Sequence, residues 1–241
     1  MSRVRYKSIF LSDIHLGSNY LNHDVFFKAF EEMESDNIFL VGDMFSINTR
    51  ETHKNIDRFR AILESKDWNI IYINGNHEDE REERFLKERI SIHSNPNIFG
   101  ISQYIYNSKE RIYLEHGHSF HKKDIWNIAL KKSIFFYKKI TKVKNRVVRP
   151  YNSKTIKKET FYFRYIKPLA QKLLSSSFER YMVSRAKNKG CSVVICGHLH
   201  LPKDSVIDGI RYLNCGDWIK SNSYIVEDSM GNLSLKYINF Q

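Results

Sequence analysis

The chain has 241 residues, 41% of them hydrophobic and 27% charged, with a formal net charge of +12; this length and apolar content suit one large domain, with or without an insertion. No stretch reaches the roughly 18 consecutive apolar residues of a membrane span, and the basic N-terminus lacks the apolar segment of a signal peptide, so we expect a cytoplasmic protein. The three cysteines form no C-x-x-C motif and stand at apolar strand positions, which argues against a disulfide framework.

The first ninety residues alternate between strand and helix patterns. Predicted strands cover 6–13, 37–43 and 69–76. A helix capped by Asn22 has apolar residues at the spacing i, i+3, i+4, i+7, namely Phe26, Ala29, Phe30 and Met33. A second helical pattern runs through Ile56, Phe59 and Leu63, and a third begins in the acidic stretch 78–83. Strands separated by helices predict βαβ units and a layered α/β core.

Later strands are set closer together and lie on both sides of a long basic segment. Their patterns cover 103–107, 111–117, 192–198, 223–228 and 233–238. A hairpin is predicted around Asp208-Gly209, a dipeptide that favours tight turns between strands. We therefore expect both ends of the chain to build one sheet system.

The segment between these strands has a helical and strongly basic pattern. Residues 119–190 carry 20 Lys and Arg against 3 Asp and Glu, whereas the rest of the chain carries 19 against 24. The positive charge therefore belongs to this one segment. We predict a core formed by 1–118 and 190–241, with an inserted basic helical cap at 119–189.

Each strand of the predicted α/β core ends in residues that can bind metal ions. The strand ends are Asp13-Ile14-His15, Gly42-Asp43, Gly75-Asn76-His77, His116-Gly117-His118 and Gly197-His198-Leu199-His200. Open α/β sheets place their ligands at the carboxyl ends of strands, and residues i and i+2 face the same side where a strand opens into a loop. The neighbouring glycines leave room for the backbone to approach the site.

The residue types at these strand ends indicate which metals fit. Mixed carboxylate, imidazole and amide ligands suit Mn, Fe or Zn better than Ca, and the absence of cysteine argues against a closed structural zinc site. Taken singly, each residue has a structural alternative: Asp13 could cap a turn, Asn76 could hold a left-handed turn, and His116 could be a core residue. The complete ordered set favours two catalytic metal ions. The histidines outside it are interpreted as surface or packing residues, namely His23, His53, His93 and His121, and the role of His118 stays open.

The ordered series D-x-H, G-D, G-N-H, H-G-H and G-H-x-H resembles the calcineurin-like metallophosphoesterase superfamily over nearly the whole chain. The resemblance implies a four-layer αββα sandwich and two divalent ions, with Mn²⁺ expected and Fe or Zn as alternatives. It assigns one ion to Asp13, His15 and His200. It assigns the other to Asn76, His116 and His198. Asp43 would bridge the two ions, while Asn76 and His77 would serve in catalysis, His77 as an acid or a transition-state donor.

Longer motifs resemble one branch of this superfamily, the UDP-2,3-diacylglucosamine hydrolases. These motifs are LSDIHLGS, LVGDMF, YINGNHED and YLNCGDWIKSNSYIVE. The branch implies hydrolysis of the pyrophosphate of UDP-2,3-diacylglucosamine to lipid X and UMP in lipid A biosynthesis. Asp124 matches a polar position of the branch, and we treat Asp124 and Trp126 as candidate substrate-binding residues. One departure is His77, because the best-known enzymes of this function have Arg at that position.

The basic, aromatic-rich segment has alternative interpretations. It could bind an anionic lipid-nucleotide and the inner face of the cytoplasmic membrane, or its aromatic residues could pack the cap while its lysines are solvated. A nuclease or other phosphodiesterase is a competing function, because basic segments with aromatic residues also bind single-stranded nucleic acid. A non-catalytic scaffold would have lost some of the ligands. The sequence implies no obligate protein partner.

Overall fold

The computed structural model of the protein describes residues 4–46, 50–76, 98–122 and 167–238. The fold of these residues is built on two mixed β-sheets. The chain divides into two compact units, His118–Tyr181 and a larger one made of Met1–Gly117 with Met182–Gln241. Both sheets lie in the larger unit. The predicted cap at 119–189 stays a prediction, since residues 123–166 lie outside the described part of the chain.

The first sheet has six strands in the order β11-β10-β1-β2-β3-β4. Neighbours among β1 to β4 are parallel, while β10 pairs antiparallel with β1 and with β11. The strands are β1 (Arg5–Leu11), β2 (Glu34–Val41), β3 (Asn69–Ile73), β4 (Ile98–Ile101), β10 (Ser223–Glu227) and β11 (Leu233–Tyr237). The carboxyl ends of β1, β2 and β3 therefore share one edge of this sheet.

The second sheet has five strands in the order β5-β6-β7-β9-β8. Its central strands β6, β7 and β9 are parallel, and β5 and β8 pair antiparallel at its edges. The strands are β5 (Tyr104–Asn107), β6 (Arg111–Leu114), β7 (Val193–Cys196), β8 (Lys203–Ile207) and β9 (Ile210–Asn214). The predicted hairpin at Asp208-Gly209 is confirmed: both residues have positive φ, and they join β8 to β9.

Helices cover the outer face of the first sheet, and a second apolar core lies between the sheets. In β1, Ile9 and Leu11 pack into the helix-facing core while Phe10 packs into the core between the sheets. This alternation follows from the period of two along a strand, and a strand buried on both faces needs apolar residues on both. The ring of Phe10 stacks on that of Phe39 in β2, with centroids 4.6 Å apart.

Three helices lie in the described residues: α1 (His23–Glu32), α2 (Arg50–Ser65) and α3 (Lys167–Asn188). The predicted cap of α1 is confirmed, because Asn22 Oδ1 accepts a hydrogen bond from the backbone of Val25 at 3.2 Å. The predicted apolar faces of α1 and α2 are buried. The helical pattern at 78–83 lies outside the described residues.

The remaining helix, α3, crosses the boundary between the two units. In its last turns Met182 and Ala186 are buried, and Arg185 hydrogen-bonds to Tyr113 of β6 and to Glu115.

Two sheets with helices outside them confirm the predicted α/β sandwich. None of the helices within the described ranges is long and apolar enough to span a membrane.

The smaller unit begins with a 3₁₀ helix at His118–Lys122. The ring of Phe120 lies edge-on to Phe178 at 5.6 Å and tilted against Tyr181 at 5.3 Å. Ser119 Oγ and Tyr181 OH are 3.0 Å apart, so they form a hydrogen bond. An aromatic cluster therefore holds the start of this unit against α3.

Candidate metal centre

Strand ends from both sheets bring predicted ligands together in the larger unit. Two groups of three residues can each hold a metal ion, because the ligand atoms within a group all lie within 4.8 Å of one another: one group is Asp13, His15 and His200, and the other is Asp13, Asp43 and His116. The two groups share Asp13. Because β1 and β2 belong to the first sheet and β6 and β7 to the second, the site lies where the carboxyl ends of both sheets meet.

The backbone at this site adopts an unusual conformation. Among the described residues, seven non-glycine residues have positive φ, and five of them are predicted ligands. These five are Asp13 (φ 52°), His15 (53°), Asp43 (56°), His198 (71°) and His200 (58°). A left-handed backbone costs a non-glycine residue about 1–2 kcal/mol, so it persists where the surrounding structure enforces it, as at functional sites. The strain of the described chain is concentrated at the candidate metal ligands.

The two carboxylate oxygens of Asp13 differ in their hydrogen bonding. It is fully buried, and Oδ2 accepts hydrogen bonds from Ser12 Oγ at 2.6 Å and from the backbone of His198 at 2.8 Å. Oδ1 accepts no hydrogen bond from the described residues, and it lies 3.3 Å from His200 Nε2 and 3.9 Å from His15 Nε2. A buried carboxylate oxygen facing two imidazole nitrogens fits a divalent cation.

Asp43 connects the two groups. Its Oδ1 accepts a hydrogen bond of 2.8 Å from the backbone of Asn76. Its Oδ2 lies 3.9 Å from His15 Nε2 and 3.4 Å from His116 Nε2. One oxygen therefore faces a histidine of each group, which is the position that a bridging carboxylate requires.

Three histidines of the site are oriented through their Nδ1 atoms. The partners are Ser46 Oγ for His15 (3.2 Å), Val41 O for His116 (2.9 Å) and Asp217 Oδ2 for His200 (3.1 Å). A carbonyl or carboxylate partner only accepts hydrogen bonds, so it fixes the proton on Nδ1 and leaves the lone pair of Nε2 for a metal ion. The three Nε2 atoms all face Asp13 or Asp43.

Asp217 is a residue of the site to which the motifs assigned no role. Burial raises the pKa of its carboxyl, but hydrogen bonds from His200 and from the backbones of Ser221 and Lys220 outweigh this effect. The resulting pKa is about 2, below the usual value of 3.8. The side chain is therefore an anion at neutral pH, and it holds the imidazole of His200. The sequence contains a signal for it, because a Gly-Asp pair follows both strands: Gly42-Asp43 directly after β2, and Gly216-Asp217 separated from the end of β9 by one residue.

Two glycines permit the close approach of these loops, as the sequence predicted. A Cβ atom at Gly42 would lie 2.5 Å from the ring of His116, and Gly42 also has a φ of +80°. A Cβ atom at Gly197 would overlap Ser12 Oγ and Asp13 Oδ2. Larger residues at either position would displace a predicted ligand or its hydrogen-bond partner.

The remaining predicted residues are placed less completely. The ring of His198 lies 5.1 Å from that of His116, while the side chain of Asn76 is exposed. His77, Asp124 and Trp126 lie outside the described residues. The division of the ligands between two ions therefore stays a prediction.

Comparison with known proteins identifies the family. A model of the calcineurin-like phosphoesterase superfamily domain matches residues 7–226. The chain therefore belongs to the calcineurin-like phosphoesterase superfamily, whose members are metal-dependent phosphoester hydrolases with a dinuclear site. The predicted superfamily and the predicted enzyme class are both confirmed. No curated protein sequence matches the chain.

Solved structures share the fold at low sequence identity. One is described as a novel archaeal phosphodiesterase, with 15% identity, a TM-score of 0.50, and coverage of 96% of this chain and 99% of that one. Another is a hypothetical protein from Pyrococcus horikoshii OT3, with 11% identity, a TM-score of 0.52, and coverage of 99% and 89%. At these identities the likeness concerns the fold alone.

Proposed function

We propose that this phosphoesterase hydrolyses a phosphodiester or pyrophosphate with two Mn²⁺ ions held by the seven predicted ligands. The observation that carries the proposal is the approach of two buried carboxylates, Asp13 and Asp43: Asp13 Oδ1 faces His200 Nε2, and Asp43 Oδ2 faces His116 Nε2. Bound divalent ions would supply Lewis acidity, acidifying a water molecule and neutralising phosphoester oxygens during in-line attack. Fe and Zn fit the same donor set.

The protein contributes position and charge to this reaction. The carboxylates of Asp13 and Asp43 provide the negative charge that divalent ions require in a buried site. In their neutral form, His116 and His200 present the lone pair of Nε2 to a metal ion, because Val41 O and Asp217 hold the proton on Nδ1. In this proposal His77 gives its proton to the leaving oxygen, a role worth about 10²–10⁴ in rate.

For the substrate we propose UDP-2,3-diacylglucosamine, cleaved at its pyrophosphate to lipid X and UMP. The support is the resemblance of residues 212–227 to the UDP-2,3-diacylglucosamine hydrolases, together with the excess of Lys and Arg in residues 119–190. A basic segment attracts anionic head groups and the anionic inner face of a membrane. Asp124 and Trp126 stay candidates for contacts with this substrate.

A hydrolysis screen with added Mn²⁺ tests the proposal. The substrates are UDP-2,3-diacylglucosamine in mixed micelles, bis-p-nitrophenyl phosphate, cyclic nucleotides and single-stranded DNA. Asp43→Asn serves as the inactive variant, and Asp36→Asn, at an exposed carboxylate paired with Arg5, serves as its matched control. We expect turnover of the lipid-nucleotide by the wild type and by Asp36→Asn, with loss in Asp43→Asn.

Other outcomes of the screen separate the substrate from the reaction. Turnover of bis-p-nitrophenyl phosphate alone would contradict the lipid substrate and retain the metal-dependent reaction. Salt-sensitive cleavage of single-stranded DNA would favour the nuclease that the basic segment also suits. No turnover of any substrate with Mn²⁺, Fe²⁺ or Zn²⁺ would overturn the proposed reaction.

A further inference from the structure

Ser12 lies directly before Asp13 and makes polar contacts to several groups of the site. It is fully buried, and its Oγ lies 2.6 Å from Asp13 Oδ2, 2.8 Å from Val41 O and 3.5 Å from His116 Nδ1. A hydroxyl has one proton to donate. We expect the hydroxyl to donate to Asp13 Oδ2, which is both the nearest acceptor and a charged one, since hydrogen bonds to a carboxylate are stronger than those to a neutral oxygen.

This hydrogen bond decides which oxygen of Asp13 is available. Oδ2 already accepts from the backbone of His198, so the hydroxyl of Ser12 gives it a second donor. Oδ1 is left facing the Nε2 atoms of His15 and His200. The carboxylate is thereby held with one oxygen toward the imidazoles and the other toward the protein.

The surroundings leave this arrangement little freedom. A Cβ atom at Gly197 would overlap both Ser12 Oγ and Asp13 Oδ2, so the loop after β7 closes over the hydrogen bond and excludes water. His116 is tied to the same point, because its Nδ1 donates to Val41 O, which lies beside Ser12 Oγ. One hydroxyl therefore lies next to a ligand of each predicted ion.

We propose that Ser12 is a positioning residue that makes Asp13 bind its metal ion through Oδ1 alone. The inference rests on the proposed metal centre, because it concerns how one of its ligands is held. Without the hydroxyl, Oδ2 loses a donor and the carboxylate can rotate or bind with both oxygens. Partners that orient metal ligands typically contribute 10- to 100-fold to metal affinity.

Calorimetric titration of the metal-free protein with Mn²⁺ tests this role without measuring activity. We expect Ser12→Ala to weaken the binding of one Mn²⁺ by about 10- to 100-fold, and Ser12→Thr, which keeps the hydroxyl, to stay within about threefold of the wild type. The matched control is Ser35→Ala. Ser35 is also fully buried and its Oγ donates to Asn37 O at 2.6 Å, at the start of β2 and away from the site.

The outcomes distinguish this inference from the proposed function. A wild type that binds no Mn²⁺ overturns the metal centre itself. A wild type that binds Mn²⁺, with Ser12→Ala equally tight or Ser12→Thr as weak as Ser12→Ala, overturns only the role of Ser12. Should Ser12→Ala fail to fold, a crystal structure of the Mn²⁺-bound wild type decides. Binding through Oδ1 alone supports the role, and binding through Oδ2 or through both oxygens overturns it.

Discussion

The rings of His15 and His200 lie parallel, with centroids 5.2 Å apart and planes within 5° of each other. Their Nε2 atoms flank Asp13 Oδ1, and Asp43 Oδ2 lies 3.9 Å from His15 Nε2. Two carboxylates are thus held close together in a buried site, where like charges repel each other strongly. A divalent cation bound between the two carboxylates would attract both of them and offset this repulsion.

Neutralising Asp43 should therefore stabilise the metal-free protein and abolish metal binding. Mn²⁺ at one hundred times its dissociation constant should add about 2.7 kcal/mol to the free energy of unfolding of the wild type per occupied site. We expect Asp43→Asn to unfold at an equal or higher temperature than the wild type in chelator, but to lose the Mn²⁺-induced rise. Its activity should fall about a thousandfold, since Lewis-acid stabilisation is worth several kcal/mol.

Thermal unfolding with Mn²⁺ and with chelator provides the measurement for Asp43. Asp36→Asn is the control, because its carboxylate is exposed and pairs with Arg5. It should keep the Mn²⁺-induced rise. An Asp43→Asn protein that responds to Mn²⁺ as the wild type does would contradict a bridging role.

Substitutions of Gly42 and Gly209 by alanine distinguish the effect of backbone strain from the effect of steric overlap. Both have a φ of +80°, but a Cβ atom at Gly42 would meet the His116 ring at 2.5 Å, whereas at Gly209 it would have no neighbour within 4 Å. We expect Gly209→Ala to lose about 1 kcal/mol of stability and keep full activity. Gly42→Ala should lose more stability and about 100-fold in activity, because it displaces His116, a predicted metal ligand.

Urea unfolding and turnover of bis-p-nitrophenyl phosphate measure the two glycine variants side by side. Equal losses of stability with equal activity would mean that the strained backbone alone matters at Gly42. The prediction of close approach would then be wrong for this glycine.

Sequence patterns predicted the fold class and the neighbourhood of the ligands, because both depend on local signals. Apolar periodicity marks strands and helices, and Asp13, Asp43 and His116 are each the second residue after the end of a strand. The contact between His200 and Asp217 is not local, since 17 residues separate them. It depends on β9 pairing with β7, while β8, which lies between these two strands in the sequence, pairs with the other edge of β9.

Other features of the site depend on atoms that a motif does not specify. The motif D-x-H names Asp13 as a ligand, but only the positions of Ser12 and the His198 backbone indicate which oxygen is open. Ser46, which holds His15, lies in no motif. The left-handed backbone of Asp13 and His15 likewise accompanies contacts between loops, because their N–H groups donate to Gly42 O and Asp43 O in the loop after β2.

The depressed pKa of Asp217 predicts a pH dependence of stability. Its carboxyl has a pKa of about 2 in the folded protein against a usual value of 3.8, so the folded state favours the anion. The stabilisation is therefore complete above pH 3.8 and is lost as the pH falls towards 2, and it amounts to about 2 kcal/mol. Asp217→Asn should be less stable than the wild type by this amount at pH 7.

Free energies of unfolding of wild type and Asp217→Asn, measured in chelator from pH 7 to pH 2, test this dependence. The two curves should converge below pH 3.8. At pH 7 the variant should also bind Mn²⁺ about 10- to 100-fold more weakly, because an uncharged amide replaces the anionic acceptor that holds His200. A constant difference between the curves at every pH would contradict the role of the Asp217 anion.

The ion pair between Arg185 and Glu115 should hold the last turns of α3, from Met182 onward, against the strand that leads to His116. Arg185 Nε lies 2.5 Å from Glu115 Oε2, and Tyr113 OH donates to the same oxygen at 2.5 Å. The Glu115 side chain is 4% exposed and that of Arg185 34%. Removing the guanidinium leaves a buried carboxylate without its cation, and Arg185→Met should cost about 2 kcal/mol, less than for a fully buried pair.

Glu115→Gln in the same chain should recover part of this loss, because the neutral amide needs no cation. Urea unfolding of the two single variants and the double variant measures the coupling energy, and strictly additive losses would mean that Arg185 stabilises α3 through packing alone.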